Sequence, residues 1–157
     1  MELKTIKGTV TSWSLHNSDG NMYTYKNIVL SQDGNEVVLE NPVTLSKTRD
    51  FLNVGDCVEI AYVASSHILP IRLFKELKIV YGVRTADNSV VDDAVEWSRL
   101  KLKYTMLYVF LSVFLFPVLP FTILRFYALY NMPGQKEFAR FVASVWGEDK
   151  LVEKGKV

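Results

Sequence analysis

The stretch MYTYKNIVLSQDGNEVVLE, residues 22–40, decides the fold that we predict for the first half of the chain. Two runs rich in β-branched, aromatic and aliphatic residues, 22–30 and 36–40, flank the turn cluster SQDGN. Asp33-Gly34 suits a tight hairpin turn, because such a turn needs positive φ, which aspartate and glycine tolerate. The sequence therefore predicts a β-hairpin in which the two runs pair.

Further strand-like runs lie on both sides of this hairpin. LKTIKGTVTSWSL (3–15) precedes it, and CVEIAYVA (57–64) and FKELKIVYGV (74–83) follow a segment in which Ser46 can cap one helical turn. Three strands, a short helix or loop and two strands form the order of an OB-fold, a small five-stranded barrel. We therefore predict that residues 1–86 form a β-rich domain, an OB-like barrel or alternatively an SH3-like barrel or a plain β-meander.

The second part of the chain, 87–132, contains a long apolar run. Its core, 104–124, comprises 21 residues without a charge, which as a helix would span about 31 Å, close to the ~30 Å thickness of a bilayer's hydrocarbon core. We therefore predict a capped helix that runs into a membrane-embedded segment. Pro117 and Pro120 predict a kink in a single span, which we favour, or the turn of a re-entrant hairpin.

Aromatic and cationic residues flank the apolar run on both sides. In membrane proteins, aromatic rings of this kind lie at the level of the headgroups, and cations contact lipid phosphates. The residues that we assign to the membrane interface are Trp97, Arg99, Lys101, Lys103, Tyr104, Arg125, Tyr127 and Tyr130.

The N-terminal residues MELKTIKGTV predict on which side of the membrane the first domain lies. They contain neither an apolar h-region nor a small-residue cleavage site, so we expect no cleaved signal peptide. The predicted localisation is therefore an integral protein of a bacterial inner (cytoplasmic) membrane, with its N-terminal domain in the cytoplasm.

The third part, 133–157, predicts a short amphipathic helix followed by a polar tail. Its apolar residues recur at helical spacing, while charged residues take the opposite side. Two interpretations stay open: the helix lies in a membrane interface, or it docks on the protein's own barrel or in a partner's groove. The apolar face consists of Phe138, Phe141, Val142, Val145 and Trp146.

Motifs of a specific chemistry are missing from the sequence. It contains no phosphate loop, dinucleotide fingerprint or zinc-type spacing, so we predict no cofactor, no metal and no catalytic residue. Three carboxylates, Asp92, Asp93 and Glu96, lie close together. Because Ser89 and Asp92 have the spacing of a capping box, we interpret these carboxylates as the start of a helix rather than a metal site.

The charge distribution argues against nucleic acid as a partner. Residues 1–90 carry nine Lys or Arg and ten Asp or Glu, a net charge of −1, which gives little attraction for phosphates. The aromatic residues of this part predict core and cross-strand pairs rather than a stacking surface for bases. They are Trp13, Tyr23, Tyr25, Tyr62 and Tyr81.

From these features we predict a membrane-anchored, non-catalytic interaction or scaffold module, a subunit of a homo- or hetero-oligomeric membrane complex. Its predicted partners are membrane lipid and either another membrane protein or a second copy. Two alternatives remain: an enzyme or enzyme accessory with a lipid-phosphate site where the barrel meets the membrane, and, more weakly, an OB-fold nucleic-acid binder.

Overall fold

The computed structural model describes residues 2–65, 76–114, 127 and 129–147, and it is rich in β-structure. Among these residues, seven strands form one sheet, and three α-helices follow or interrupt them. The strands are β1 (Lys4–Asp19), β2 (Met22–Gln32), β3 (Asn35–Glu40), β4 (Pro42–Leu45), β5 (Cys57–Ser65), β6 (Leu77–Thr85) and β7 (Val90–Asp92). The helices are α1 (Ser46–Arg49), α2 (Ala94–Phe114) and α3 (Gln135–Phe141), and a π-helical turn, Val142–Trp146, continues α3.

Five of the strands pair in a closed circuit. β1 pairs with β2, β2 with β4, β4 with β6, β6 with β5, and β5 again with β1. Only the β4–β6 pair in this circuit is parallel. β3 and β4 both pair with β2 and are separated by Asn41, whose positive φ of 48° bends the chain between them. Along the chain, the five strands of this circuit are β1, β2 and β4, then β5 and β6 after the helical turn α1.

The hairpin at residues 22–40 forms with the expected partners. β2 and β3 pair from Asn27 opposite Glu40 to Gln32 opposite Asn35. Asp33 and Gly34 occupy the turn with φ angles of 51° and 82°, a left-handed pair of the type that two-residue hairpins require.

Two cores lie on the two sides of the sheet. The first contains Ile28, Leu30, Ile60 and Val83, and the second contains Ala61, Val63, Ile79 and Tyr81. β5 contributes to both because successive side chains of a strand point to opposite faces, so Ile60 faces the first core and Ala61 the second. The register shift between Ala61 and Tyr62 leaves Tyr81 as an extra residue on β6, and such a bulge redirects the side chains of the bulged strand. Burial on both faces explains why β5 and β6 are apolar runs rather than alternating sequences.

The helices cover the second core. Trp97 of α2, Phe138 of α3 and Trp146 of the π-helical turn are almost fully buried in this core. The Tyr81 ring stacks on Phe138 with a centroid separation of 5.9 Å and lies 6.3 Å from the Trp97 ring. Aromatic packing of this kind holds both helices to β6.

The predicted membrane segment is not found. Among the described residues, no helix is both long enough and apolar enough to cross a membrane. The membrane-embedded helical segment in our fold class is therefore wrong, and the predicted transmembrane helix and integral-membrane localisation are wrong with it. α2 includes residues 104–114 of the apolar run, but its first ten residues carry Glu96, Arg99, Lys101 and Lys103, which are costly to place in lipid.

Two further predictions concern the same part of the chain. Pro117 and Pro120, the predicted kink or turn, lie outside the described residues. The predicted capping box at Ser89 is wrong, because α2 begins at Ala94 and Ser89 precedes β7. Ser89 instead donates its hydroxyl to Asp87 within a turn, a local side-chain bond that competes with helix formation.

Gly82 gives a direct test of how the helices dock on β6. A Cβ at this position would lie 2.8 Å from Phe138 Cζ and 3.0 Å from the Val91 carbonyl oxygen. We expect Gly82→Ala to lower the free energy of unfolding by about 1–3 kcal/mol, because either the packed ring or β7 has to move. Urea denaturation followed by tryptophan fluorescence measures this change.

Gly134→Ala is the matched control, since a Cβ there meets no atom within 4 Å. It should cost no more than about 1 kcal/mol, through the weaker N-cap of α3. Equal destabilisation by both substitutions would show that the close packing of Phe138 on Gly82 is not the reason why a larger side chain is unfavourable at residue 82.

Candidate functional site

A concave site, which we call the hairpin pocket, lies between the β1–β2 hairpin and the loop that follows α1. It encloses a cavity of about 330 Å³, within the size range of small-ligand sites. The lining residues are Trp13, Tyr25, Arg49, Asp50, Leu52 and Asn53.

Aromatic rings form one side of the hairpin pocket. Trp13 and Tyr25 meet with a centroid separation of 5.8 Å and an interplanar angle of 82°. Tyr25 is almost fully buried, whereas Trp13 keeps 42% of its surface exposed. Burial raises the pKa of the Tyr25 hydroxyl, so Tyr25 is a neutral wall of the site at physiological pH.

Polar groups form the other side of the hairpin pocket. The guanidinium of Arg49 lies 4.6 Å from the centre of the Tyr23 ring, a cation–π arrangement, and 3.8 Å from an oxygen of Asp50. Asn53 donates its amide N–H groups to the Asp50 carbonyl and to the Asp56 carboxylate, both at 3.2 Å. One cation and one carboxylate therefore line the pocket, and its lining carries no net charge.

A second surface lies on α2. Four large apolar residues at helical spacing, which we call the α2 stripe, are exposed: Leu102 (59%), Met106 (63%), Val109 (49%) and Phe110 (61%). The opposite side of the first half of the helix packs on the second core through Trp97, Leu100 and Tyr104, whereas Leu107 further along is exposed. An exposed apolar row of this kind on a folded domain typically marks an interaction surface.

The structure separates the residues that we assigned to a membrane interface. Trp97 is buried in the second core and donates its indole N–H to the Val80 carbonyl at 2.8 Å. Tyr104 is half-buried beside the same core, while Lys101 donates to the carbonyls of Tyr130 and Met132 at 3.2 and 3.0 Å. Arg99, Lys103, Tyr127 and Tyr130 are exposed, and Arg125 lies outside the described residues.

The predicted apolar face of the C-terminal helix docks on the protein's own sheet. Phe138, Val142 and Trp146 are buried there and Phe141 is half-buried, whereas Val145 keeps 49% of its surface exposed. Of the two interpretations left open by the sequence, the described residues thus show docking on the chain's own fold.

The carboxylates near the start of α2 have structural partners. Asp93 is fully buried and accepts hydrogen bonds from the Thr48 backbone N–H at 3.0 Å and from the Thr48 hydroxyl at 2.7 Å. Asp92 accepts from the Ala94 N–H at 3.0 Å, and Glu96 pairs with Lys47 at 2.8 Å. These contacts join α1 to α2.

Groups suited to metal binding do not come together in the described part of the chain. No three His, Cys, Asp or Glu side chains within it gather as a metal site would require. In the hairpin pocket, an exposed ring stands next to a donor and an acceptor.

The chain matches no protein-family model, and comparisons with curated proteins and with solved structures give no significant match. The features of the chain that bear on its function are therefore the hairpin pocket and the α2 stripe.

Sequence reasoning identified only part of the hairpin pocket. It singled out Trp13 and Tyr25 as aromatic residues, but it missed Arg49, Asp50 and Asn53 as partners of those rings. The available signal was Trp13 itself, because a tryptophan in a hairpin arm flanked by serines has few apolar neighbours along the chain.

The buried carboxylate of Asp93 predicts a dependence of stability on pH. Burial raises its pKa above the ordinary value, although the Thr48 bonds oppose this shift. A carboxyl whose pKa is raised in the folded state favours folding at low pH, and this contribution is lost as the pH rises through the folded-state pKa. We therefore expect Asp93→Asn to gain stability relative to the native chain between pH 4 and pH 7, measured by urea denaturation at each pH.

Thr48→Val provides the complementary measurement, with Thr48→Ser as its control. Losing the hydroxyl donor should destabilise the protein by about 1–3 kcal/mol, and more at pH 7 than at pH 4, because the ionised carboxylate depends on that donor more strongly. A stability difference between Asp93→Asn and the native chain that does not change with pH would contradict this assignment.

Proposed function

We propose that the chain is a non-catalytic interaction module that assembles with a second copy of itself through the α2 stripe. The observation that carries the proposal is the exposure of Leu102, Met106, Val109 and Phe110 in one row on a helix whose first turns pack on the second core through Trp97, Leu100 and Tyr104. The sheet and its two cores supply a rigid support for that row. The C-terminal helix is unavailable for the same role, because its aromatic residues already pack on the sheet.

The size of the stripe indicates a weak, concentration-dependent assembly. A large apolar side chain contributes about 1.5–3 kcal/mol when it is fully buried. Two copies offer eight such side chains that are each about half exposed, so the gain is of the order of 8 kcal/mol. Association itself costs about 4–15 kcal/mol, and the balance allows a dimer only at moderate to high protein concentration.

The charges beside the stripe favour an antiparallel arrangement of the two helices. Arg99 and Lys103 are exposed near the N-terminal end of the row. In a parallel pair of helices, Arg99 and Lys103 of one copy would lie opposite Arg99 and Lys103 of the other copy, and the like charges would repel. In an antiparallel pair centred on Met106, the two Lys103 residues are about 9 Å apart along the axis and the two Arg99 residues about 21 Å apart, beyond the Debye length of about 8 Å.

The β-rich part of the module is the scaffold that presents these surfaces. We propose that residues 1–86 are an OB-like unit, and the closed five-strand circuit with its one parallel pair, β4–β6, supports this proposal. The accessory role at lipid phosphates gains no comparable support, because Lys101, one of its cations, already donates to two backbone carbonyls.

Met106→Lys tests the assembly, because it places a cation at the centre of the proposed contact. We expect the native chain to sediment as a monomer–dimer equilibrium over a range of concentrations. The variant should raise the dimer dissociation constant at least about tenfold, since burying two unpaired ammonium groups is costly. Sedimentation equilibrium of the full chain measures both constants.

Val54→Lys is the matched control, since it adds the same charge at a residue of similar exposure, 61%, away from α2. It should leave the dimer constant unchanged. A native chain that stays monomeric up to high concentration, or a dimer that both variants weaken equally, would contradict self-association through the α2 stripe.

A further inference from the structure

The hairpin pocket has the composition of a ligand site that the proposed self-association does not use. No residue of the α2 stripe lines it, and its lining comes from β1, from β2 and from the segment at Arg49–Asn53. Its cavity of about 330 Å³ is large enough for one ring-sized ligand or one unit of a polymer.

The aromatic side of the pocket offers an open ring face. Because the planes of Trp13 and Tyr25 are nearly perpendicular, Tyr25 leaves at least one face of the Trp13 indole uncovered. The 42% exposure of Trp13 agrees with this geometry, and it contrasts with the other two tryptophans, Trp97 at 2% and Trp146 at 3%. A ligand with a flat apolar face would remove this surface from water.

The polar side of the pocket offers a donor, Arg49, and an acceptor, Asp50. Arg49 is held between the Tyr23 ring and Asp50, while the two bonds of Asn53 hold the loop that carries Asp50. The Asp50 side chain is 67% exposed, so its carboxylate is accessible as an acceptor. The planar guanidinium and the planar carboxylate can each bind two neighbouring hydroxyls of a ligand.

The charge around the pocket discriminates between ligand classes. Arg49 and Asp50 cancel, and the hairpin from Thr11 to Lys26 carries one acidic and one basic residue apart from His16. A phosphate backbone would therefore find no net positive potential. An aromatic or aliphatic peptide side chain would cover Trp13 but leave the donor and acceptor groups unmatched, which costs affinity.

We propose that the hairpin pocket binds a neutral sugar ring, one pyranose unit of an uncharged oligosaccharide. The C–H face of the ring packs on Trp13, and its hydroxyls donate to the Asp50 carboxylate and accept from the Arg49 guanidinium. This arrangement satisfies the apolar face of the pocket together with its polar rim, on which the charges of Arg49 and Asp50 cancel.

The test uses the full chain with three neutral hexasaccharides, cellohexaose, maltohexaose and chitohexaose, and with (dT)12 single-stranded DNA as a competing ligand class. Trp13 is the exposed member of the three tryptophans, so acrylamide quenching of the intrinsic fluorescence reports mainly on this residue. We expect at least one hexasaccharide to protect Trp13 from the quencher in a saturable manner, and (dT)12 to give no protection.

Variants then assign the binding to the pocket, with affinities measured by calorimetry and folding checked by circular dichroism. Trp13→Ala and Asp50→Asn should each weaken binding by about tenfold or more, because they remove the stacking face and the charged acceptor. Leu15→Ala is the matched control, since Leu15 lies in the same strand, is 43% exposed and does not line the pocket. It should bind like the native chain.

Three results would overturn the proposal. If no hexasaccharide protects Trp13 from the quencher, a neutral sugar is not the ligand. If Leu15→Ala weakens binding as much as Trp13→Ala does, the hairpin pocket is not the binding site. Trp13-dependent binding of (dT)12 without any sugar binding would assign the site to single-stranded nucleic acid instead.

Discussion

Tyr81 is the residue on which the arrangement of the helices depends. Its ring stacks on Phe138 and lies beside Trp97, its hydroxyl donates to the Pro133 carbonyl at 3.0 Å, and its own carbonyl accepts from the Asp93 N–H at 2.9 Å. One strand residue thus contacts α2, α3 and the turn before each of them. Burial raises the pKa of its hydroxyl above the ordinary value, so this hydroxyl is a hydrogen-bond donor at physiological pH.

The position of Tyr81 explains which surfaces remain for function. α2 and α3 pack on one side of β6 and bury the face of β5 and β6 that belongs to the second core, while the first core buries the opposite face. The apolar residues that extend beyond this contact stay exposed. Within the described residues they include Trp13 and Leu15 on the hairpin, and Leu102 and Met106 on α2. Both proposed surfaces therefore lie where the sheet and the helices extend past the common core.

Local sequence signals predicted the hairpin and the order of the strands, since turn chemistry and strand composition act over a few residues. They did not predict how the apolar helix is placed. Hydropathy measures whether a segment avoids water, but it does not specify whether lipid or a sheet covers it, and Trp97 belongs in the core of this sheet. The start of α2 was missed for a similar reason, because Ser89 bonds to Asp87 within a turn instead of capping the helix.

The hairpin pocket lay beyond sequence reasoning because its parts are distant along the chain. Trp13 and Arg49 meet only after β2 and β4 have paired and placed α1 beside the hairpin. The same folding step places Thr48, the neighbour of Arg49, against Asp93 at the start of α2. A buried contact therefore joins the element beside the pocket to the helix that carries the stripe. Coupling between the two sites would require a second arrangement of α1 against α2, and in the arrangement seen here this contact holds the two elements together.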